Sequence, residues 1–442
     1  MLMGLPSLRR FDISENSLSL IDKNSFTKTP MLETVNISSN ELTSVDRNTF
    51  SHLSNLFELD VSDNILTEMI IGLPRAIERI NIKNNKIKTL PASLSSNAFD
   101  LPNLRMIDLS NNGLTRVNQV FGRTPQMRVI SLAKNNIQSI DETSFQGLNR
   151  LEVLNLQDNQ INTMHDQSTA AIGSLMELNL QGNRLEVLVD KILENIPNLE
   201  KLDISRNNIV EIMPNSFRKS RSLQMLDLSS NNLRQLPTSL VNLANLKDID
   251  LSFNEITNLT PEIMKLWTSL EEFRASNNKI GGLQTGTFKN LPLLQYLDLS
   301  SNDLSVLERG SIRNLPELQE IVLADNRLVE LRERIFEDLP NLQALHLQQN
   351  NLRIISPNTF YNSPSILYLN LSTNQFRHME NINLRNARNL EVLDLSNNEI
   401  RRVSANPLRG LDWLVELKLN DNRICNIQVS SDNFNVMIKM II

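Results

Sequence analysis

The chain has 442 residues, 40% of them hydrophobic, with 44 basic side chains against 50 acidic ones and a net charge of −6. That balance offers no basic field for nucleic acid. The lone cysteine, Cys425, excludes a disulfide framework or a cysteine metal cluster within the chain, and 12 glycines argue against several phosphate-cradling loops. Arg9, Arg10, Asp12 and Glu15 interrupt any apolar leader core in the first residues. No run approaches the ~18 apolar residues of a spanning helix. Length alone suggests about three domains, and asparagine, at 59 residues, is the compositional outlier.

In chain order, Gly4-Leu5-Pro6-Ser7-Leu8 reads as the tail of a preceding repeat, so the array is expected to open inside a longer one. From there one unit recurs, typified by Leu104-x-x-Ile107-x-Leu109-x-x-Asn112-x-Leu114. Its asparagine falls at Asn16, Asn40, Asn64, Asn85, Asn112, Asn135, Asn159, Asn183, Asn207, Asn231, Asn254, Asn278, Asn302, Asn326, Asn350, Asn374, Asn398 and Asn422. Of the 17 intervals, 13 are 24 residues and the others are 21, 27, 23 and 23. In each unit the apolar residues before the asparagine predict a short strand with inward side chains alternating against outward ones. The asparagine follows where the chain turns inward, since an amide can satisfy donors and acceptors of a buried turn together. An asparagine ladder is therefore expected, with Asn112, Asn135, Asn159, Asn183, Asn207, Asn231, Asn302, Asn326, Asn350 and Asn398 among its members.

Ten residues after the asparagine stands Phe26, Phe50, Phe145, Phe217, Phe288, Phe336 or Phe360, to fill the outer half of the turn. Leu101-Pro102, Leu291-Pro292, Leu315-Pro316 and Leu339-Pro340 end the outer segment, because proline releases the chain from helix. Two stretches depart from the pattern. The 21- and 27-residue intervals between Asn64 and Asn112, with Pro74, Pro91, Pro102 and Ser93-Leu94-Ser95-Ser96-Asn97, sum to 48 and are read as local drift in a tolerant convex segment or as a shifted strand register instead of a true insertion. Thr169 replaces the phenylalanine within the polar run Asp166–Ala171. After Ile424 and Ile427 the pattern dissolves, which gives one continuous array over 1–427 and a non-repeat tail over 428–442. The few glycines are expected to suit a fold needing few special backbone angles.

This unit resembles the leucine-rich-repeat family, and its phenylalanine-bearing 24-residue period resembles the type common in animal extracellular proteins, most of all chaoptin-type insect adhesion proteins. The resemblance implies an α/β solenoid of about 18 repeats, a horseshoe with a concave parallel β-sheet and an irregular or short-helical convex side. Eighteen strands at about 4.8 Å would give an inner arc of about 85 Å, long for a small ligand and suited to a protein. It implies protein–protein recognition at a cell surface, by adhesion to like molecules on another cell or to a protein ligand. Alternatives are the ectodomain of a Toll-type receptor or an intracellular scaffold. Extracellular members of the family cap their arrays with cysteine-rich flanks, and since the chain shows neither, it is expected to be part of a longer product, with any leader or membrane anchor outside it. No cofactor, metal or small-molecule substrate is implied.

The residues give no catalytic constellation. The position inside each Leu-x-Leu is Asp or Asn in 13 of 18 repeats, including Asp203, Asp227 and Asp250 in succession. With Lys201, Lys247 and Arg206 nearby, that column reads as structural and not as a cation or acid–base site. His52, His165 and His378 fall outside the strands, and His346 has Val322 and Asn370 as its column neighbours, without triad or zinc logic. Later repeats break the polar habit: Arg274, Val322 and His346 interrupt the Asp/Asn column, and Tyr296 and Tyr368 stand one step aside. Arginine and aromatic residues on a polar sheet are the residue types of interface hot spots, so these five are the candidate partner site. The apolar stripe Met106, Val129 and Val153 is a second candidate. Three Asn-x-Ser/Thr sequons occur, at Asn36, Asn258 and Asn370, with Asn258 the most plausible glycan acceptor because the other two lie in the strand column.

Overall fold

The computed structural model describes residues 5–91, 100–117, 120–404, 406–428 and 439–441. It forms two compact units, Met1–Leu223 and Gln224–Ile442. Each is a parallel β-solenoid in which one three-residue strand per repeat pairs in register with the next. In the first unit the strands are Arg10–Asp12, Thr34–Asn36, Glu58–Asp60, Arg79–Asn81, Met106–Asp108, Val129–Ser131, Val153–Asn155, Glu177–Asn179 and Lys201–Asp203. In the second they are Met225–Asp227, Asp248–Asp250, Glu272–Arg274, Tyr296–Asp298, Glu320–Val322, Ala344–His346, Tyr368–Asn370, Val392–Asp394 and Glu416–Lys418. Lys439–Ile441 adds a further parallel strand on Glu416–Lys418, beyond residue 427 where the repeat pattern stops.

The central residue of each strand points into the core, as Leu59, Ile107, Leu178, Leu297 and Leu369 do, while its neighbours face outward. Phe50, Phe145, Phe217, Phe288, Phe336 and Phe360 fill the far side of each turn at 1% exposure or less. Phe336 stacks on Phe360 with ring centroids 5.8 Å apart. The returning side is mostly turns. Its helices are short, Asp190–Glu194 and Pro261–Met264 with 3-10 turns such as Thr238–Asn242, and two-residue strands pair between neighbours, as Glu330–Leu331 does with Ile354–Ile355.

The asparagine amides tie neighbouring repeats together. Asn350 donates from Nδ2 to the carbonyls of Leu347 (3.2 Å) and Gln348 (3.3 Å) in its own turn and to Leu323 (2.9 Å) one repeat earlier. Its Oδ1 accepts the Leu328 amide at 3.0 Å. Asn64, Asn135, Asn183, Asn302 and Asn398 repeat the same carbonyl triad and are all buried.

The turn that delivers the amide inward overturns the expectation of few special backbone angles. The residue before every ladder asparagine is left-handed: 17 non-glycine residues, from Glu15 and Ser39 to Asn397 and Asp421, lie at φ between 51° and 57°, and Gly182 lies at 66°. A left-handed L-residue costs roughly 1–2 kcal/mol. The cost is offset because that residue's own amide reaches the next repeat, Ser39 to the Ser62 carbonyl at 2.9 Å and Gln349 to Ser372 at 3.1 Å. Low glycine content therefore reflects non-glycine residues held in the left-handed region.

The two irregular stretches resolve differently. Glu58 pairs with Arg79 and Arg79 with Met106, so the strand register does not slip. The interval difference lies in the returning segments, and Ser93–Asn97 lies outside the described residues. Thr169 is 1% exposed and donates to the Ile192 carbonyl at 2.7 Å, so it packs as a satisfied polar residue in the phenylalanine's place.

Truncating Asn350 to alanine leaves the Leu328 amide without its acceptor and takes one of two donors from the Leu323, Leu347 and Gln348 carbonyls, and is expected to cost ~1–3 kcal/mol in chemical denaturation. Asn16→Ala, which removes bonds only to Ile13 and Ser14 on an exposed turn, should cost clearly less.

Candidate recognition surface

The Asp/Asn column has a local task. In all 13 repeats that carry it, the side-chain oxygen accepts the backbone amide two residues on, from Asp12–Ser14 at 2.9 Å to Asp394–Ser396 at 2.9 Å. This is an Asx turn that bends the chain out of the strand. Asp203, Asp227 and Asp250 each spend an oxygen in this way on Ser205, Ser229 and Ser252. Among the described residues no group of three His, Cys, Asp or Glu side chains is placed to hold a metal.

Arginine and valine carry no such acceptor, so Arg274 and Val322 give up the turn bond. With His346 they lie on the outward face of the second unit, on four strands that also present Tyr296. Tyr368 follows on the fifth. Two contact groups result. Arg274 donates to Asp248 at 2.9 Å and pairs with Glu272, and its guanidinium lies 5.4 Å from the Tyr296 ring centre. His346 Nε2 stands 3.3 Å from Glu320 Oε1, and its ring is 5.2 Å from Tyr368, whose hydroxyl accepts from Asn370 at 3.3 Å. Val322 lies between the groups, register partner of both Asp298 and His346. The carboxylates of Glu272 and Glu320 belong to this surface and were not singled out from sequence, because glutamates are common on the strand face and only their partners distinguish them.

Electrostatics fix the roles of these groups. Burial pushes the Asp248 carboxyl above the ordinary carboxylate range, and Arg274 offsets only part of that rise. For Arg274 itself burial opposes the charge, but Asp248 and Glu272 outweigh it and hold the guanidinium protonated. Burial, and then the Asp298 and Glu320 carboxylates, raise the Tyr296 phenol, which keeps it a neutral hydrogen-bond donor. Rings, a fixed cation and flanking acids on a half-buried sheet are suited to binding a protein and have no arrangement for bond chemistry.

The apolar stripe lies in the first unit, Met106, Val129 and Val153 side by side on consecutive strands, with Met106 40% exposed. Ion pairs flank it, Arg105 with Glu78 at 3.5 Å and Arg128 with Glu152. A hollow of about 520 Å³ lies apart from the strand column of the second unit, bounded by Arg234, Glu255, Asn258, Thr260 and Lys279. It is charged where small-molecule sites are mainly apolar. His52, His165 and His378 stand off the strands.

The leucine-rich repeat model matches residues 2–69, 125–185, 173–233, 268–328, 316–376 and 368–424, well over half of the chain. The chain belongs to the leucine-rich repeat family. Its repeats form a recognition array. Curated relatives match over short stretches: chaoptin of Drosophila melanogaster is 40% identical over 65 residues, 15% of this chain and 5% of chaoptin. The mouse transforming growth factor beta activator LRRC32 is 33% identical over 78 residues, 17% of this chain and 12% of that protein. The fold is shared with a leucine-rich-repeat protein of Leptospira interrogans, at 23% identity and TM-score 0.67 over 95% of this chain and 92% of that one. It is also shared with the glycosylated Toll–Spatzle complex of Drosophila, at 19% identity and TM-score 0.63 over 94% of this chain and 68% of that one. Among the described residues no helix is long and apolar enough to cross a membrane.

In a carboxyl NMR titration Asp248 is expected to titrate above exposed aspartates, and higher again in Arg274→Gln, which removes its main counter-charge. A raised folded pKa favours the fold fully below the unfolded value of 3.8, and that contribution is lost as pH rises through the folded value.

Proposed function

We propose that the chain is the ligand-binding array of an extracellular recognition protein, in the manner of a receptor ectodomain of the Toll type, and that Arg274, Tyr296, Val322, His346 and Tyr368 contact its protein ligand. The observation that carries this reading is the break in the Asp/Asn column. Arg274 and Val322 forgo a turn bond made by every Asp and Asn of that column, and beside them stand the two tyrosines of the strand face. Arg274 and Val322 cost a local bond, and the half-buried rings of Tyr296 and Tyr368 beside them add contact area. Two arrays that share the fold were solved in complex, Toll with Spatzle and a plant peptide hormone receptor with RGF2. In such arrays the partner would be a protein, and the ladder asparagines would serve stability alone.

A second reading is favoured by the local match to chaoptin: adhesion between like arrays on apposed cells, the role that the family resemblance implies. The two readings part in a bead assay. Beads coated with the chain aggregate if arrays bind one another, and stay dispersed while capturing a secreted protein if the array is a receptor. In either format Tyr296→Ala with Tyr368→Ala should weaken binding at least ~30-fold, the size expected for hot-spot truncation, with melting unchanged. Undiminished binding by the folded double variant would remove this surface from the account.

A further inference from the structure

The three sequons stand in different environments. Asn36 and Asn370 belong to the strand column, each paired with strands on both sides. Their amides are engaged: Asn36 accepts the Ser38 amide at 3.0 Å and donates to Asp12 at 3.0 Å, and Asn370 accepts from Ser372 at 3.0 Å and donates to the Tyr368 hydroxyl at 3.3 Å. Replacing an amide hydrogen by a sugar at either would crowd the outward sheet face.

Asn258 is different. It lies on the returning segment before the helix Pro261–Met264, with an exposed side chain that donates to the Thr257 hydroxyl at 3.4 Å. Leu259 is turned inward at 4% exposure, so the alternating backbone sets Asn258 and Thr260 outward together. Thr260 stands at the N-cap of the helix yet its hydroxyl makes no capping bond. Both residues line the hollow of about 520 Å³, whose lining includes one carboxylate shared by two cations: Glu255 lies 3.5 Å from Arg234 and 3.3 Å from Lys279.

We propose that Asn258 carries an N-linked oligosaccharide whose first sugars lie in this hollow, their hydroxyls meeting Arg234, Glu255 and Lys279. The glycan would be confined to the returning side, leaving the strand face of the second unit free for a partner. The donor is an oligosaccharide on a polyprenyl diphosphate. The Asn258 amide nitrogen bonds to sugar C1, the bond from C1 to the diphosphate oxygen breaks, the lipid diphosphate leaves, and the amide proton passes to a base of the transferase. The inference rests on the extracellular reading, so its test supplies entry to the secretory pathway independently.

The full chain is secreted from animal cells behind a heterologous leader, and its peptides are mapped before and after an amidase that converts glycosylated asparagine to aspartate. The expected result is that Asn258 reads as aspartate after treatment. Asn258→Gln should lose that glycan and keep the wild-type melting temperature. An unoccupied Asn258 in the secreted chain would overturn the proposal, whatever the native compartment. For the hollow, an endoglycosidase cutting between the first two sugars of the native protein should act several-fold faster on Arg234→Ala with Lys279→Ala, at unchanged melting. Equal rates would overturn the placement of those sugars.

Discussion

Everything in this solenoid depends on a turn that no single repeat can hold alone. A left-handed residue swings the chain inward, and the asparagine after it bonds two carbonyls of its own turn, one carbonyl of the previous repeat and one amide of that repeat. The strain of the first residue and the buried amide of the second are both tolerable only when neighbours on either side complete the hydrogen bonds. Stability is then a property of stacked pairs, as the nearest-neighbour character of repeat proteins requires. Phenylalanine stacking and inward leucines supply apolar burial, while the amide sets the spacing and register at which that burial occurs.

With the turn secured by the asparagine, the first outward position of each strand is free to vary, and the third departs from Asp or Asn at the cost of one turn bond. That freedom separates structure from recognition within a three-residue strand. The central side chain is buried, and the outer two face solvent beside their counterparts in the next repeat. In the second unit they bring a buttressed arginine, two tyrosines, a histidine and a valine onto consecutive strands. Asp248 and Glu272 hold Arg274 in place before any partner arrives, which limits the side-chain entropy lost on binding. Glu337, 3% exposed on the returning side and paired with Arg313 at 3.5 Å and Arg334 at 3.4 Å, shows the same device used for packing alone.

The periodicity of asparagine made the strands and their pairing legible, because a 24-residue spacing of an amide leaves one register. It did not reveal the left-handed turns. Glu15, Lys134, Phe253 and Gln349 share that backbone position with nothing in common chemically, since their side chains point outward and only their φ angles are constrained. The local purpose of Asp203 or Asp250 was written in the serine two residues later, yet a row of carboxylates read from sequence first raises the question of cations. The short strand pairs of the returning side and the division at Leu223 leave no mark in the pattern, because they rest on brief backbone contacts and not on side-chain periodicity. Among the residues of the proposed contact surface, Arg274, Val322 and His346 stood out as exceptions to a column and the tyrosines as rings beside it, whereas Glu272 and Glu320 became visible only beside the cations they hold.

The central claim is that the column breaks serve contact and not the fold. It is tested most directly by restoring the column while Arg274 and its two acids are kept, in Val322→Asn with His346→Asn, which gives up the His346 contacts to Glu320 and Tyr368, and by measuring thermal melting and partner or self-association on the same samples. The account predicts melting at or above that of the unaltered chain, because each asparagine regains a turn bond, together with a binding loss of at least ~30-fold. Lowered melting with binding intact would contradict it.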